Sequence, residues 1–108
     1  VDPEDEKLVT LARAALGRAL VRTWVPAGAA VRDDTGRTYA AASVEMDGAS
    51  VTALQLAVAT AVSSGARRFE AAAVVSDDPT DDVEGRKALN AFGPVTLIRA
   101  RPDGSVVG

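Results

Sequence analysis

The side chains able to do chemistry in this sequence gather in a few places. The acidic run Asp77, Asp78, Asp81, Asp82 and Glu84 offers oxygen ligands to a hard cation such as Ca²⁺ or Mg²⁺. Its spacing does not follow an EF-hand loop, and Pro79 interrupts it. A solvated loop ending in a helix N-cap carboxylate is the simpler reading. Thr52, Thr60, Ser63 and Ser64 supply hydroxyls, with Gln55 beside them. A hydroxyl nucleophile needs a general base, and the 108-residue chain contains no His. It contains no Cys either. Disulfides, thiol nucleophiles, Ser-His-Asp and Cys-His arrangements, and zinc sites built from nitrogen and sulfur are therefore excluded. Only carboxylates, hydroxyls, amides, Lys, Arg and the backbone remain for chemistry, and the hydroxyls are read as structural.

A regular alternation of elements positions these groups. Ser50–Gly65 (SVTALQLAVATAVSSG) is apolar around most of its circumference, which predicts a helix of about four turns buried inside the fold. Ser50 is its expected N-cap and Gly65 its stop. Upstream, apolar residues at helical spacing predict a first helix over Asp5–Leu20, with acidic residues at the positive end of its dipole. Val21–Pro26 connects it to a short strand, Ala27–Arg32. The turn signal Asp33-Asp34-Thr35-Gly36 then leads to a second strand, Thr38–Glu45, in an antiparallel hairpin. Small residues (Ala29, Ala30, Ala40, Ala41, Ala42) leave that hairpin thin enough for a close-packed neighbour. Met46–Ala49 leads into the central helix.

Downstream, the unalternating apolar run in Phe69–Ser76 predicts a strand covered on both faces. Asp81–Phe92 reads as a third helix stopped by Gly93-Pro94, and Val95–Ala100 and Ser105–Val107 as the last strands. The order is α-β-β-α-β-α-β-β. It predicts an α/β fold with one mixed sheet of about five strands and helices on both faces. Its two β-α-β crossovers predict parallel neighbours among the later strands.

Three segments, in this order and spacing, resemble the cytidine deaminase family in its small homo-oligomeric form, which acts on free nucleosides. Pro26–Glu45 (PAGAAVRDDTGRTYAAASVE) resembles the family's first hairpin. Ala57–Pro79 (AVATAVSSGARRFEAAAVVSDDP) resembles the back half of its central helix and the next strand. Gly85–Ile98 (GRKALNAFGPVTLI) resembles its third helix and fourth strand. The resemblance runs from Leu8 to Gly108 and implies a three-layer α/β/α fold. It also implies a site for zinc-assisted hydrolysis. In the family one Cys or His of a C/H-A-E motif and two Cys of P-C-x-x-C hold the metal, and the motif's Glu shuttles a proton. Here the ligand positions fall on Thr52, Asp82 and Gly85, and the shuttle on Leu54. The expectation is a vestigial site with no catalytic residue, no metal and no cofactor. On the nucleoside side, the family's ribose-holding Asn and Glu match Ser43 and Glu45, and its Phe that packs on the pyrimidine matches Val25. The plainer reading of Glu45 is a strand-end charge in solvent or an ion pair between subunits.

Composition bounds the partners. The net charge is −3, with acidic clusters at Asp2–Glu6 and Asp77–Glu84, so no basic face is offered to nucleic acid. Arg67 and Arg68 make only a small basic spot. No apolar run reaches the roughly 18–20 residues that span a bilayer, and no signal peptide is visible, so no membrane and a cytoplasmic location are expected. One domain covering residues 1–108 is expected from the length. Leu56 lies about 40° from Thr52 on the weakly polar side of the central helix, which implies a neighbouring subunit and a homo-oligomer, dimer or tetramer. Trp24 reads equally as an interface hot spot or as a core residue.

Two functions follow. One is a catalytically inactive cytidine-deaminase-like protein that oligomerises and binds a protein partner or a small nucleoside-like ligand. The other is a metal-independent enzyme, or a nucleoside- or nucleotide-binding protein, using Glu45 or Asp82 in the remnant cleft. With no evident acid–base pair in that cleft, the first is favoured.

Overall fold

The computed structural model describes residues 2–78 and 82–107. Helix α1 (Pro3–Leu16) is followed by strands β1 (Ala27–Asp33), β2 (Thr38–Ala42), β3 (Val44–Met46) and β4 (Ala49–Val51). Helix α2 (Ala53–Ser63), β5 (Phe69–Ser76), α3 (Val83–Asn90), β6 (Thr96–Ala100) and β7 (Val106–Val107) complete the order. Five strands form one mixed sheet, β2-β1-β5-β6-β7, and β3 and β4 form a separate hairpin. Leu8, Val9 and Ala12 of α1 cover one face of the sheet, and Leu54, Ala57 and Ala61 of α2 with Leu89 of α3 cover the other. The expected three layers are present.

Burial in β5 follows from this sandwich. Ala72 and Val74 belong to the core under α2 and α3, while Ala71, Ala73 and Val75 belong to the core under α1. The unbroken apolar run Ala71–Val75 is what a sheet covered on both faces requires. The small residues of β1 also do what their size suggested. A Cβ at Gly28 would overlap the carbonyl oxygen of Ala12 and lie 2.5 Å from the backbone nitrogen of Leu16, so α1 rests directly on the strand. Arg32 ties the start of α1 to the sheet, donating to Glu70 at 2.9 Å, to Asp5 at 3.2 Å and to the Glu4 carbonyl at 3.1 Å.

Several expectations need correction. Among the strands of the described residues, only β5 and β6, joined through α3, are parallel neighbours; β1 is antiparallel to both β2 and β5. The crossover through α2 therefore passes over β1, whose second edge is taken by β5. Helix α1 ends at Leu16 with Gly17 as its C-cap, short of Leu20. Leu20 instead bridges to Val44, accepting from the amide of Glu45 at 2.7 Å. Ser50 is not an N-cap: it lies in β4, which Gly48 (φ +83°) turns back onto β3. The cap is Thr52, in a reciprocal capping box with Gln55. Nor is α2 enclosed, since Ala59, Thr60 and Ser63 are exposed. Leu56 is half-buried against its own core, which removes the need for a neighbouring subunit there. Val1, Pro79, Thr80, Asp81 and Gly108 lie outside the described residues, and with them part of the acidic loop.

Candidate functional site

The N-termini of α2 and α3, the start of β1 and the end of β5 meet at one end of the sheet, around a cleft of about 460 Å³. Trp24, Val25 and Ala27 form one wall, and Ala53, Val74 and Val83 add further apolar surface. Thr52, Ser76, Asp78, Asp82 and Glu84 are its polar lining.

Of the positions singled out by the resemblance, Thr52, Asp82 and Val25 line this cleft, and Gly85 and Leu54 lie beside Asp82. Thr52 Oγ1 accepts from the amide of Gln55 at 3.1 Å, closing the first turn of α2. Asp82 Oδ1 accepts from the amide of Gly85 at 2.8 Å, closing the first turn of α3. A Cβ on Gly85 would overlap Asp82 Oδ2 and lie 2.7 Å from Leu54 Cβ, so these three residues are in immediate contact. Leu54 has no exposed surface: it belongs to the core behind the cleft and does not line it. Val25, 40% exposed, does line it.

Ser43 and Glu45 are not brought to the cleft lining. Ser43 is fully buried, its hydroxyl accepting from the Ala27 amide at 2.9 Å and donating to the Ala27 carbonyl at 3.1 Å. The Glu45 carboxylate faces the connector between α1 and β1. Its Oε1 accepts from the amides of Arg22 (2.6 Å) and Thr23 (2.9 Å), and its Oε2 from the Thr23 hydroxyl (2.7 Å). Three donors from its own chain thus hold the segment that continues into Trp24 and Val25. These bonds, the Thr23 hydroxyl foremost, lower the Glu45 pKa from 4.5 to about 2.

A pH dependence follows. Because the folded-state pKa is depressed, the stabilisation by Glu45 is present above pH 4.5 and is lost as the pH falls toward about 2. Urea unfolding should show Glu45→Gln less stable than wild type at pH 7, with the gap closing near pH 2. A gap that does not change with pH would contradict this role.

Trp24, Ser76, Asp78 and Glu84 enter the site without having been assigned to it by sequence. Asp78 and Glu84 were visible as part of an acidic loop, but nothing local says that the loop borders the α2 N-terminus. Among the described residues, no three Asp or Glu side chains gather closely enough to hold a metal ion. At the opposite end of β1, the DDTG turn is organised by Asp33. Its Oδ1 accepts from the Thr35 amide (3.0 Å), the Thr35 hydroxyl (2.6 Å) and the Arg37 amide (3.0 Å).

Residues 1–104 match the family model described as cytidine deaminase-like. The chain belongs to that family. Solved structures agree: the cytidine deaminase of Burkholderia pseudomallei is similar over 94% of this chain and 87% of that one, with 25% identity and a TM-score of 0.83. The enzyme from Mycobacterium tuberculosis is similar over 97% and 89%, with 26% identity and a TM-score of 0.75. That from Mycobacterium leprae, at 22% identity, shares the fold over 98% and 93% with a TM-score of 0.77. Among curated protein sequences none matches the chain. No helix of the described residues is long and apolar enough to cross a membrane.

Proposed function

We propose that this cytidine-deaminase-like protein carries out no zinc-dependent deamination and works by binding, as a homo-oligomer that holds a small ligand or a protein partner at the cleft. One observation carries the reading: Asp82, Gly85 and Leu54 lie against one another at the cleft that Thr52 also lines, and these are the positions that the resemblance assigns to the zinc ligands and proton shuttle. These groups do not fit the ion. Gly85 has no side chain to offer, and Thr52 Oγ1 and Asp82 Oδ1 already accept from backbone amides. Leu54 holds no proton to transfer and is fully buried. The chain has no His or Cys with which another position could supply nitrogen or sulfur. No step is therefore derived through zinc.

The cleft itself has the size and the mostly apolar wall of a small-molecule site. A metal-free enzyme using Glu45 gains no support, because Glu45 does not line the cleft; Asp82 does line it, with its Oδ1 held by the Gly85 amide. The test is the fall in absorbance as cytidine becomes uridine, in zinc-supplemented buffer, alongside a thermal-shift screen of nucleosides. No turnover is expected, while a bound ligand at 100 times its Kd stabilises by about 2.7 kcal/mol. Zinc-dependent turnover would overturn the proposal.

Self-association is supported by Leu20 (64% exposed), which bridges to Val44, and Met46 (55%), two residues beyond Val44. A contact between copies that covered both would remove their apolar surface from water. Light scattering should report a dimer or tetramer, and Leu20→Glu with Met46→Glu should shift it toward monomer. A monomeric wild type would contradict this assignment.

A further inference from the structure

We infer that the ligand of the cleft is a small organic cation, an amine or alkylammonium carrying an apolar body. The inference rests on the proposal that the cleft binds and does no zinc chemistry. Charge complementarity carries it. Asp78, Asp82 and Glu84 are the charged side chains among the described residues lining the cleft, and no Lys or Arg joins them. The N-termini of α2 and α3 open on the same space, each contributing roughly half a positive charge. Together that is about one unit against three carboxylates, so the cleft stays negative. An anion is repelled there, and a neutral ring gains nothing from the field.

Carboxylates alone would only be a solvated acidic edge. Here they border an open, mostly apolar cleft of about 460 Å³ in which Trp24, Val25, Val74 and Val83 can take the body of the ligand. Trp24 is the aromatic residue of that wall, and an ammonium against its ring is attracted by the ring quadrupole. Gly85 shapes the site as well. A Cβ there would overlap Asp82 Oδ2, so its missing side chain is what lets that carboxylate lie beside Leu54 at the base of α3.

Trp24 is the sole tryptophan of the chain, so its fluorescence reports on the cleft. The protein is titrated with 2-phenylethylammonium and with its uncharged counterpart 2-phenylethanol. The expected result is saturable binding of the amine, about tenfold or more tighter than the alcohol and weakened by added salt. Asp78→Asn with Glu84→Gln, both at exposed positions, should remove about tenfold of the amine affinity and leave the alcohol unchanged. Asp82→Asn, which keeps an oxygen for the cap, should weaken the amine further. Equal binding of the two probes, binding of neither, or an unaffected double variant overturns the ligand class. Zinc-dependent cytidine turnover would instead overturn the underlying reading of the cleft, so the two failures are distinguishable.

Discussion

Replacing Gly28 with alanine is expected to remove about 3 kcal/mol of folding stability, the upper part of the range for overpacking. The added methyl would overlap the Ala12 carbonyl oxygen and stand 2.5 Å from the Leu16 nitrogen and 3.0 Å from the Leu16 Cα. All three are backbone atoms of α1, so no rotamer change relieves the contact. The helix must lift, and lifting it opens the core of Leu8, Val9 and Ala12 against Ala30, Ala73 and Val75. Gly17→Ala is the control. A Cβ there comes no closer than 3.6 Å to the Ala14 carbonyl, and its stability should stay within about 0.5 kcal/mol of wild type. Urea unfolding measures both. A Gly28→Ala variant as stable as wild type would mean that α1 does not sit on β1 at this distance.

Leu54 is the second position where a large effect is expected. Leu54→Ala should cost about 3 kcal/mol, because the side chain is fully buried and its removal leaves a cavity between α2, α3 and the sheet. Leu54→Glu introduces the residue type that the resemblance implies for this position, and at pH 7 it should cost more than alanine does. A carboxylate placed in that core loses its hydration, so its folded-state pKa rises. The penalty is therefore full well above the raised pKa and shrinks as the pH falls toward the unfolded value of about 4.3. If Leu54→Glu were as stable as wild type at pH 7, position 54 would have access to water, and the separation of Leu54 from the cleft would be wrong.

Much of the layering was legible in the sequence because it rests on local periodicity. The unalternating run of β5 announced cover on both faces, and the alanines of β1 and β2 announced a close neighbour. What was not legible depended on partners distant along the chain. Whether β5 joins β1 or β2 is decided by pairing across more than 30 residues, and no local pattern encodes it. The β3–β4 hairpin is a different case. Asp47-Gly48 is a strong two-residue hairpin signal that was overshadowed by the helical pattern after it.

The site divides in the same way. Thr52 and Asp82 line one cleft because they cap the first turns of two helices that pack together, and Gly85 lies in the turn that Asp82 caps. Ser43 and Glu45 resembled ligand-holding residues by position. Their side chains instead meet backbone groups 16 and 22–23 residues away, which serve the fold and the Trp24–Val25 wall. Leu56 misled for a simpler reason: the angle around a helix axis says which residues share a side, not how wide the buried face is.

In the function proposed here, two helix caps, a glycine and a buried leucine stand at the positions that the resemblance assigns to the zinc ligands and proton shuttle. Metal analysis of protein expressed and purified in zinc-supplemented medium tests it most directly. No stoichiometric zinc is expected after exhaustive dialysis. One tightly held zinc per chain, accompanied by conversion of cytidine to uridine, would contradict it.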